Sequence, residues 1–456
     1  MCMPTRTALA ALAFLVLTPG AEAQRESQPS GTPSLHADPP VALVDTPLRI
    51  TVSGLTPQQL FRVSATSRTS TDRALISYAV FRADDAGSID LSTLKPLEGT
   101  YSKPDPMALF WAMSPQPVPV EIWDHFDLPP FYPPNPWTVL VEVAPKRGGT
   151  ALASLRLVRL YAAPGLRKMD LREAGLVGKL VLPAQGDQNS RIPAVILLGG
   201  SEGGMEDADA SLLASHGYAA LTLAYFGVDG VPSELVNIPI EYVLQAVKWL
   251  QARPEIDRGQ IAIIGASRGA ELALLTASVS SAIKAVVAIS PSSVVWGGIS
   301  KSPEVRAVSA WTYKGKPLPF LSAKAPPDLM QEFYAKGPLH SRLYDYLFSD
   351  RDAVKQTIIP IERIRGAVLL VSGAEDRVWG SPIMARQIVE RAMQFGRGGF
   401  FESITYDGAG HNIHAPYRPT HGQARLGGTA EDHARAERDS WQKILAFLER
   451  ALIAPK

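Results

Sequence analysis

The chain has 456 residues, of which 46% are apolar and 20% charged, with 45 Lys and Arg against 44 Asp and Glu. That length holds two or three domains with ample core, and a formal charge of +1 gives no footing for a nucleic-acid partner or for a charged membrane surface. The single cysteine, Cys2, excludes a disulfide framework and thiol chemistry for everything beyond the first residues.

Residues 1–23 read as a secretory signal peptide. Arg6 precedes the apolar run Ala8 to Leu17, Pro19-Gly20 follow, and Ala21-Glu22-Ala23 supplies a small-x-small end, the three regions that export and cleavage require. Cleavage after Ala23 is expected. The run is too short to anchor in a bilayer, and Cys2 stands before it rather than after, against lipid modification. The mature protein is therefore expected in the periplasm or outside the cell, with no stable membrane insertion. Residues 24–34, rich in Gln, Ser, Gly and Pro, read as a flexible leader.

From residue 35 to 162 short β-rich segments are separated by turn residues. Leu48 to Val52, Leu75 to Phe81, Thr138 to Val143 and Leu155 to Leu160 read as strands, broken at Asp84-Asp85-Ala86-Gly87 and Lys146-Arg147-Gly148-Gly149 by hairpin-type turns. An immunoglobulin-like β-sandwich is the expectation. Residues 104–113 read as a packing loop between strands, and the Pro- and aromatic-rich residues 127–137 as a rigid surface loop.

A different rhythm fills residues 163–456. Strands are expected over Ala194 to Leu198, Ala219 to Tyr225, Ile261 to Ile264, Ala285 to Ile289, Ala367 to Val371 and Ser403 to Tyr406. Helices are expected over Ala208 to His216, Ile240 to Ala252, after Ser267 and over Ser440 to Ala451. Alternating strands and helices imply a mostly parallel sheet with right-handed crossovers, an α/β fold of the α/β-hydrolase kind. Residues 296–357 interrupt the sheet at a length that suggests a cap over an active site.

Two G-x-S-x-G sequences fall in this half. Gly265-Ala266-Ser267-Arg268-Gly269 ends a strand and passes at once into a helix, as a nucleophile elbow requires, with small flanking residues where strand and helix pass closely. Gly199-Gly200-Ser201-Glu202-Gly203 ends the first parallel strand and leads into acidic residues instead. It occupies the position of an oxyanion loop. Ser267 is thus the candidate nucleophile, and the candidate oxyanion donors are the backbone of Arg268 and of the Gly200-Ser201-Glu202 loop. The Arg268 side chain itself reads as a solvated charge.

A serine hydroxyl needs an imidazole to take its proton and a carboxylate to orient that imidazole. His411 follows Gly408-Ala409-Gly410 just past a strand and is preferred to His414. For the acid, Glu375 and Asp376 both stand beyond the preceding strand end, and either could reach the imidazole. Ser267, Asp376 and His411 run in the hydrolase order. The other histidines are scattered without zinc-ligand spacing, and Gly199 to Gly204 lacks the Lys-Ser/Thr ending of a phosphate loop. Neither a metal nor a cofactor is expected.

With these elements in place the chain resembles the acyl-CoA thioesterase and bile acid-CoA:amino acid N-acyltransferase family over about residues 35–448. The resemblance rests on Gly99-Thr100-Tyr101 with Asp105-Pro106-Met107 and Leu109-Phe110-Trp111, and on the elbow Gly265 to Glu271, similar to the family's G-x-(S/C)-x-G-A-E. Gly373 to Trp379 and Gly408 to His411 complete it. It implies Asp376 as the acid and acyl transfer through an acyl-enzyme. The conjugating members carry cysteine where this chain has Ser267, which favours hydrolysis. Export would separate the protein from cytosolic coenzyme A, so both an ester and a thioester are kept as substrate. The expectation is an exported, monomeric serine acyl hydrolase acting on a small-molecule acyl ester or thioester, with Trp296, Trp311 and Phe320 of the cap either lining the acyl pocket or packing the cap. The alternatives are an acyltransferase with an amino-acid acceptor and a binding protein without activity.

Overall fold

The computed structural model describes residues 31–115, 135–184, 191–205, 207–300, 308–322, 324–336, 342–421 and 426–453. The expected signal segment and most of residues 127–137 lie outside them.

Period-two patterning builds the N-terminal sheets. Phe61, Val63 and Ala65 are the buried positions of Leu60–Arg68, and Trp137, Val139, Val141 and Val143 those of Trp137–Pro145, so one face of each strand enters the core. These two strands pair antiparallel, flanked by Ala74–Arg82 and Ala153–Leu160. A second sheet of Ser34–Asp38, Arg49–Ser53 and Ile89–Asp90 turns Ile50 and Val52 into the same core. The turn at Asp84 to Gly87 departs from the hairpin expectation: it carries the chain from one sheet to the other, with Asp84 Oδ1 accepting from the N–H groups of Ala86 and Ser88. Residues 104–113 contain a one-turn helix, Ala108–Trp111, rather than loop alone. All four of its residues are buried, and Phe110 packs edge-on to Trp137 at 5.7 Å. Tertiary packing stabilises a turn too short for propensity to reveal.

Beyond them, strands β1 (Arg167–Leu171), β2 (Val177–Leu182), β3 (Ile192–Leu198), β4 (Ala219–Ala224), β5 (Ile256–Ala266), β6 (Ile283–Ile289), β7 (Ala367–Gly373) and β8 (Phe401–Tyr406) form one sheet in the order β1-β2-β4-β3-β5-β6-β7-β8. β1 and β2 run antiparallel, and β2 is antiparallel to β4. Every pairing from β4 to β8 is parallel. This is an α/β-hydrolase-like sheet. β4 is buried at all six positions, the continuous apolar run of a strand covered on both faces.

The covering helices are α1 (Asp207–Ser215), α2 (Ile240–Gln251), α3 (Arg268–Val279), α4 (Ser381–Gln394) and α5 (Ala430–Leu452). Alternate strand residues feed the two faces. Val195 and Val287 pack with Leu213 of α1 and Phe447 of α5, in a core continuous with the N-terminal sheets. Ile196 and Val286 pack with Val243, Leu272 and Ile388 of α2, α3 and α4. Helix α5 begins ten residues before the apolar periodicity, at a Thr429 cap whose hydroxyl accepts from Asp432 N–H. The first three turns are mostly charged, and their buried side chains include His433 and Glu437, which hydropathy does not mark as core.

Between β6 and β7, the described part of the insertion holds Trp311–Tyr313, paired parallel with Ile238–Pro239, and the helices Pro327–Lys336, Leu343–Leu347 and Arg351–Thr357. Val294, Trp296, Leu321 and Tyr344 form a third core there with Trp379 and Met384. The N-terminal residues also bond to the C-terminal part of the chain: Asp45 Oδ2 accepts from Trp441 Nε1 at 2.9 Å, and Trp111 O accepts from Thr420 N–H at 3.0 Å.

Candidate active site

The carboxyl ends of β3, β5, β7 and β8 gather the chemistry-bearing residues. At the end of β5, Ser267 has φ 54° and ψ −117°, a strained conformation for a residue with a Cβ. Two glycines make the turn possible. A Cβ on Gly265 would lie 2.2 Å from Gly269 O, and one on Gly269 would lie 2.3 Å from both Leu198 O and Gly199 O. Ser267 N–H donates to Ile289 O at 2.8 Å, which fixes the elbow to β6.

Ser267 Oγ lies 2.9 Å from His411 Nε2, and His411 Nδ1 lies 2.9 Å from Asp376 Oδ2. With Nδ1–H donating to the carboxylate, Nε2 is left to accept the serine proton. Asp376 is 1% exposed. Its Oδ1 accepts from the N–H groups of Val378 (2.9 Å) and Trp379 (3.2 Å), and its Oδ2 accepts from Ser381 Oγ. Four donors thus converge on one carboxyl group. The neighbouring Glu375 is exposed. His411 is 5% exposed, its ring edge-on to Trp379 at 6.0 Å and its carbonyl accepting from Ser290 Oγ at 2.6 Å. The acid strand and the histidine turn meet backbone to backbone: a Cβ on Gly373 would lie 2.1 Å from Gly410 O.

His414 stands apart from this group. Its Nε2 is shut away from solvent without a hydrogen-bond partner among the described residues, and burial, with Arg418 nearby, pushes the imidazole down to about 4. His433, one of the histidines expected to be scattered without a role, comes up from α5 beneath the histidine turn, its Nε2 3.1 Å from Gly410 N and 2.9 Å from Gly427 O. Its signal was invisible because α5 places it there from 22 residues beyond His411.

The Gly199 to Gly204 loop leaves β3 beside the elbow. A Cβ on Gly200 would lie 3.3 Å from Ser267 Cβ, so the loop passes against the nucleophile at Gly200. The Gly200 N–H donates to the Glu202 carboxylate at 2.7 Å. Arg268, the first residue of α3, corrects the expectation of a solvated side chain. It is 5% exposed, with Nη1 2.9 Å from Glu271 Oε2 and Nη2 donating to Trp296 O and Gly297 O at 3.3 and 3.1 Å. Glu271 is fully buried and accepts from Trp296 N–H at 2.9 Å and Trp311 Nε1–H at 2.7 Å. Burial pushes its carboxyl up, against the pull of Arg268 and these two donors. Trp311 therefore ties the insertion to the elbow helix. Trp296 stacks on Trp379 at 6.4 Å, one ring away from His411, and Phe320 packs against the core under α2 and α3. Among the described residues no His, Cys, Asp and Glu group is placed to hold a metal ion, and no helix is long and apolar enough to cross a membrane.

Two family models match the chain. One, described as BAAT / Acyl-CoA thioester hydrolase C terminal, covers residues 238–454, and the other, Acyl-CoA thioester hydrolase/BAAT N-terminal region, covers residues 45–173. The bile acid-CoA:amino acid N-acyltransferase of Mus musculus is 31% identical over 440 residues, covering 92% of this chain and 98% of its own. Acyl-coenzyme A thioesterase 1 of Mus musculus is 30% identical over 431 residues, 90% of this chain and 94% of its own. The mitochondrial acyl-coenzyme A thioesterase 2 of Rattus norvegicus is 31% identical over 425 residues, 90% of this chain and 87% of its own.

Proposed function

The chain belongs to the acyl-CoA thioester hydrolase and bile acid-CoA:amino acid N-acyltransferase family, and on that premise we propose that it is an exported serine hydrolase that cleaves an acyl ester or thioester through an acyl-serine. Thioester hydrolysis and acyl transfer are the activities that the relatives' names carry. The observation that carries the finer reading is the unbroken hydrogen-bond chain from Ser267 Oγ through His411 to Asp376, 2.9 Å at each step.

Ser267 Oγ bonds to the acyl carbon while its proton passes to His411 Nε2, and the carbonyl π pair moves onto oxygen. His411 then gives that proton to the departing alkoxide or thiolate, which leaves the acyl-serine. Water repeats the cycle: it loses a proton to His411, attacks the acyl carbon, and releases the acid with Ser267 reprotonated. Asp376 stays ionised and holds the imidazole in the tautomer that accepts at Nε2. The Arg268 N–H and the Gly200-Ser201-Glu202 loop stabilise the oxyanion, and losing one such donor costs about 100- to 1000-fold in rate.

The same reading takes residues 1–23 as a cleaved signal peptide, residues 35–162 as an immunoglobulin-like domain and residues 163–456 as a catalytic domain capped by 296–357. Sequencing the N-terminus of the protein recovered outside the cytoplasm tests the export; a chain retained inside with residue 1 intact overturns it. For the chemistry, the full chain is treated with a fluorophosphonate and the adduct mapped. Labelling confined to Ser267, and a turnover loss on the order of 10⁶-fold in Ser267→Ala, are expected; labelling that persists in Ser267→Ala sinks the assignment. Comparing p-nitrophenyl butyrate with a butyryl thioester, with and without glycine, then separates ester from thioester and water from an amine acceptor.

A further inference from the structure

The loop after β3 has the carbonyl oxygens of Gly199 and Gly200 tied to the fold, and further along Gly204 N–H donates to Phe226 O at 3.2 Å. The Tyr225 hydroxyl donates to Gly199 O at 2.7 Å and to Gly200 O at 3.2 Å. Tyr225 directly follows β4 and is 2% exposed. Its ring lies 5.8 Å from Trp311 and 5.1 Å from Phe226, so packing holds the phenol against the loop. Burial, and after it the Glu202 carboxylate, push the phenol well above its ordinary value. It remains a donor at any working pH.

In a trans peptide the C=O and the following N–H point in opposite directions. Holding the oxygens of Gly199 and Gly200 against Tyr225 therefore turns the N–H groups of Gly200 and Ser201 the other way. One of these already meets an anion: Gly200 N–H donates to Glu202 Oε1 at 2.7 Å. That carboxylate belongs to an exposed residue, and a Cβ on Gly200 would sit between it and the nucleophile, 2.7 Å from Glu202 Oε2 and 3.3 Å from Ser267 Cβ.

We propose that Tyr225 is the positioning residue of the oxyanion loop, fixing two peptide planes so that the Gly200 and Ser201 N–H groups face the oxygen of the carbonyl attacked by Ser267. In the same arrangement the Glu202 carboxylate holds the Gly200 N–H in the free protein and yields it to the substrate oxygen. The assignment rests on the serine hydrolase reading above. As Ser267 Oγ bonds to the acyl carbon and its proton moves to His411, the electron pair displaced onto oxygen takes the hydrogen bond that Glu202 gives up.

Phenylboronic acid probes this directly, since Ser267 Oγ adds to boron and leaves a tetrahedral anion in the oxyanion position. Tyr225→Phe is expected to lower kcat on p-nitrophenyl butyrate about 10- to 100-fold with KM within about twofold, and to weaken phenylboronate inhibition by a comparable factor. A packing defect alone would raise KM and lower the melting temperature without that parallel. Glu202→Ala, which leaves the core untouched, is expected to tighten phenylboronate about threefold or more by removing a like charge beside the adduct. The Tyr225 assignment is overturned by kcat and boronate affinity within twofold of the parent, or by a loss confined to KM. Unchanged boronate affinity in Glu202→Ala overturns the displaced carboxylate. A parent protein that boronate does not inhibit and that lacks esterase activity refutes the hydrolase reading instead.

Discussion

Replacing Glu271 by Gln isolates the contact that joins the elbow helix to the insertion. The amide keeps an oxygen for Trp296 N–H and Trp311 Nε1–H, now 2.9 and 2.7 Å away, but it removes the charge opposite Arg268. The guanidinium then stays buried with only the carbonyls of Trp296 and Gly297 as acceptors, at 3.3 and 3.1 Å. Breaking a buried pair from one side costs about 3–5 kcal/mol. At roughly 2–4 °C per kcal/mol for a chain of this class, the melting temperature should fall by about 10 °C. Replacing both partners, Arg268→Met with Glu271→Gln, removes both charges and should recover most of that loss, because an uncompensated charge and not the missing pair is the main cost. Urea unfolding of the parent, both single variants and the double variant, followed by tryptophan fluorescence, gives the coupling. Single losses below about 1 kcal/mol, or a double variant equal to the sum of the singles, would refute the view that a desolvated ion pair anchors the elbow.

Gly269→Ala should destabilise the fold by about 3 kcal/mol or more and abolish esterase activity, since its Cβ would lie 2.3 Å from two carbonyl oxygens of the β3 end; a melting temperature and turnover near the parent's would show that strand and helix can separate there. Acid should destabilise the protein through His414. Its imidazole is pushed down to about 4 in the fold, while the unfolded chain titrates near 6.5. The unfolded state therefore binds the extra proton first, and stability that is complete above pH 6.5 is lost as pH falls toward 4, by at most about 3 kcal/mol. Arg418, Asp209, His433 and His411 face the same group, and His433, also lowered by burial, adds a loss of the same sign. Urea titrations at pH 7, 5.5 and 4.5 measure it, and His414→Gln should flatten the dependence; an unchanged slope would remove His414 as its source.

The parts of the candidate site legible in the sequence are those whose chemistry is written into contiguous backbone. Strand, turn and helix follow one another through Ile261 to Leu275, and the tight turn demands glycine at 265 and 269, so Ser267 stands out from local pattern alone. Strand order then separated Ser267 from Ser201, and the turn Gly408 to His411 marked its histidine. Where a residue's environment comes from elsewhere in the chain, the pattern was silent or misleading. The Arg268 side chain reads as a surface charge until Trp296, Gly297 and Trp311 close over it. Nothing near Tyr225 indicates that β4 carries it under a loop 25 residues earlier.

The sequence by itself determined the elbow, the order of serine, acid and histidine, and the alternation of strands and helices that makes the sheet parallel, because each follows from local sterics and hydrophobic period. Only the tertiary structure decided which of Glu375 and Asp376 is buried against His411, that α5 begins at Ala430, and that Glu271, Ser381 and His433 support the site. Those outcomes depend on polar partners many residues apart. A buried charge or imidazole is stable only where the fold supplies its counter-charge or hydrogen-bond partner, and no local window contains that partner.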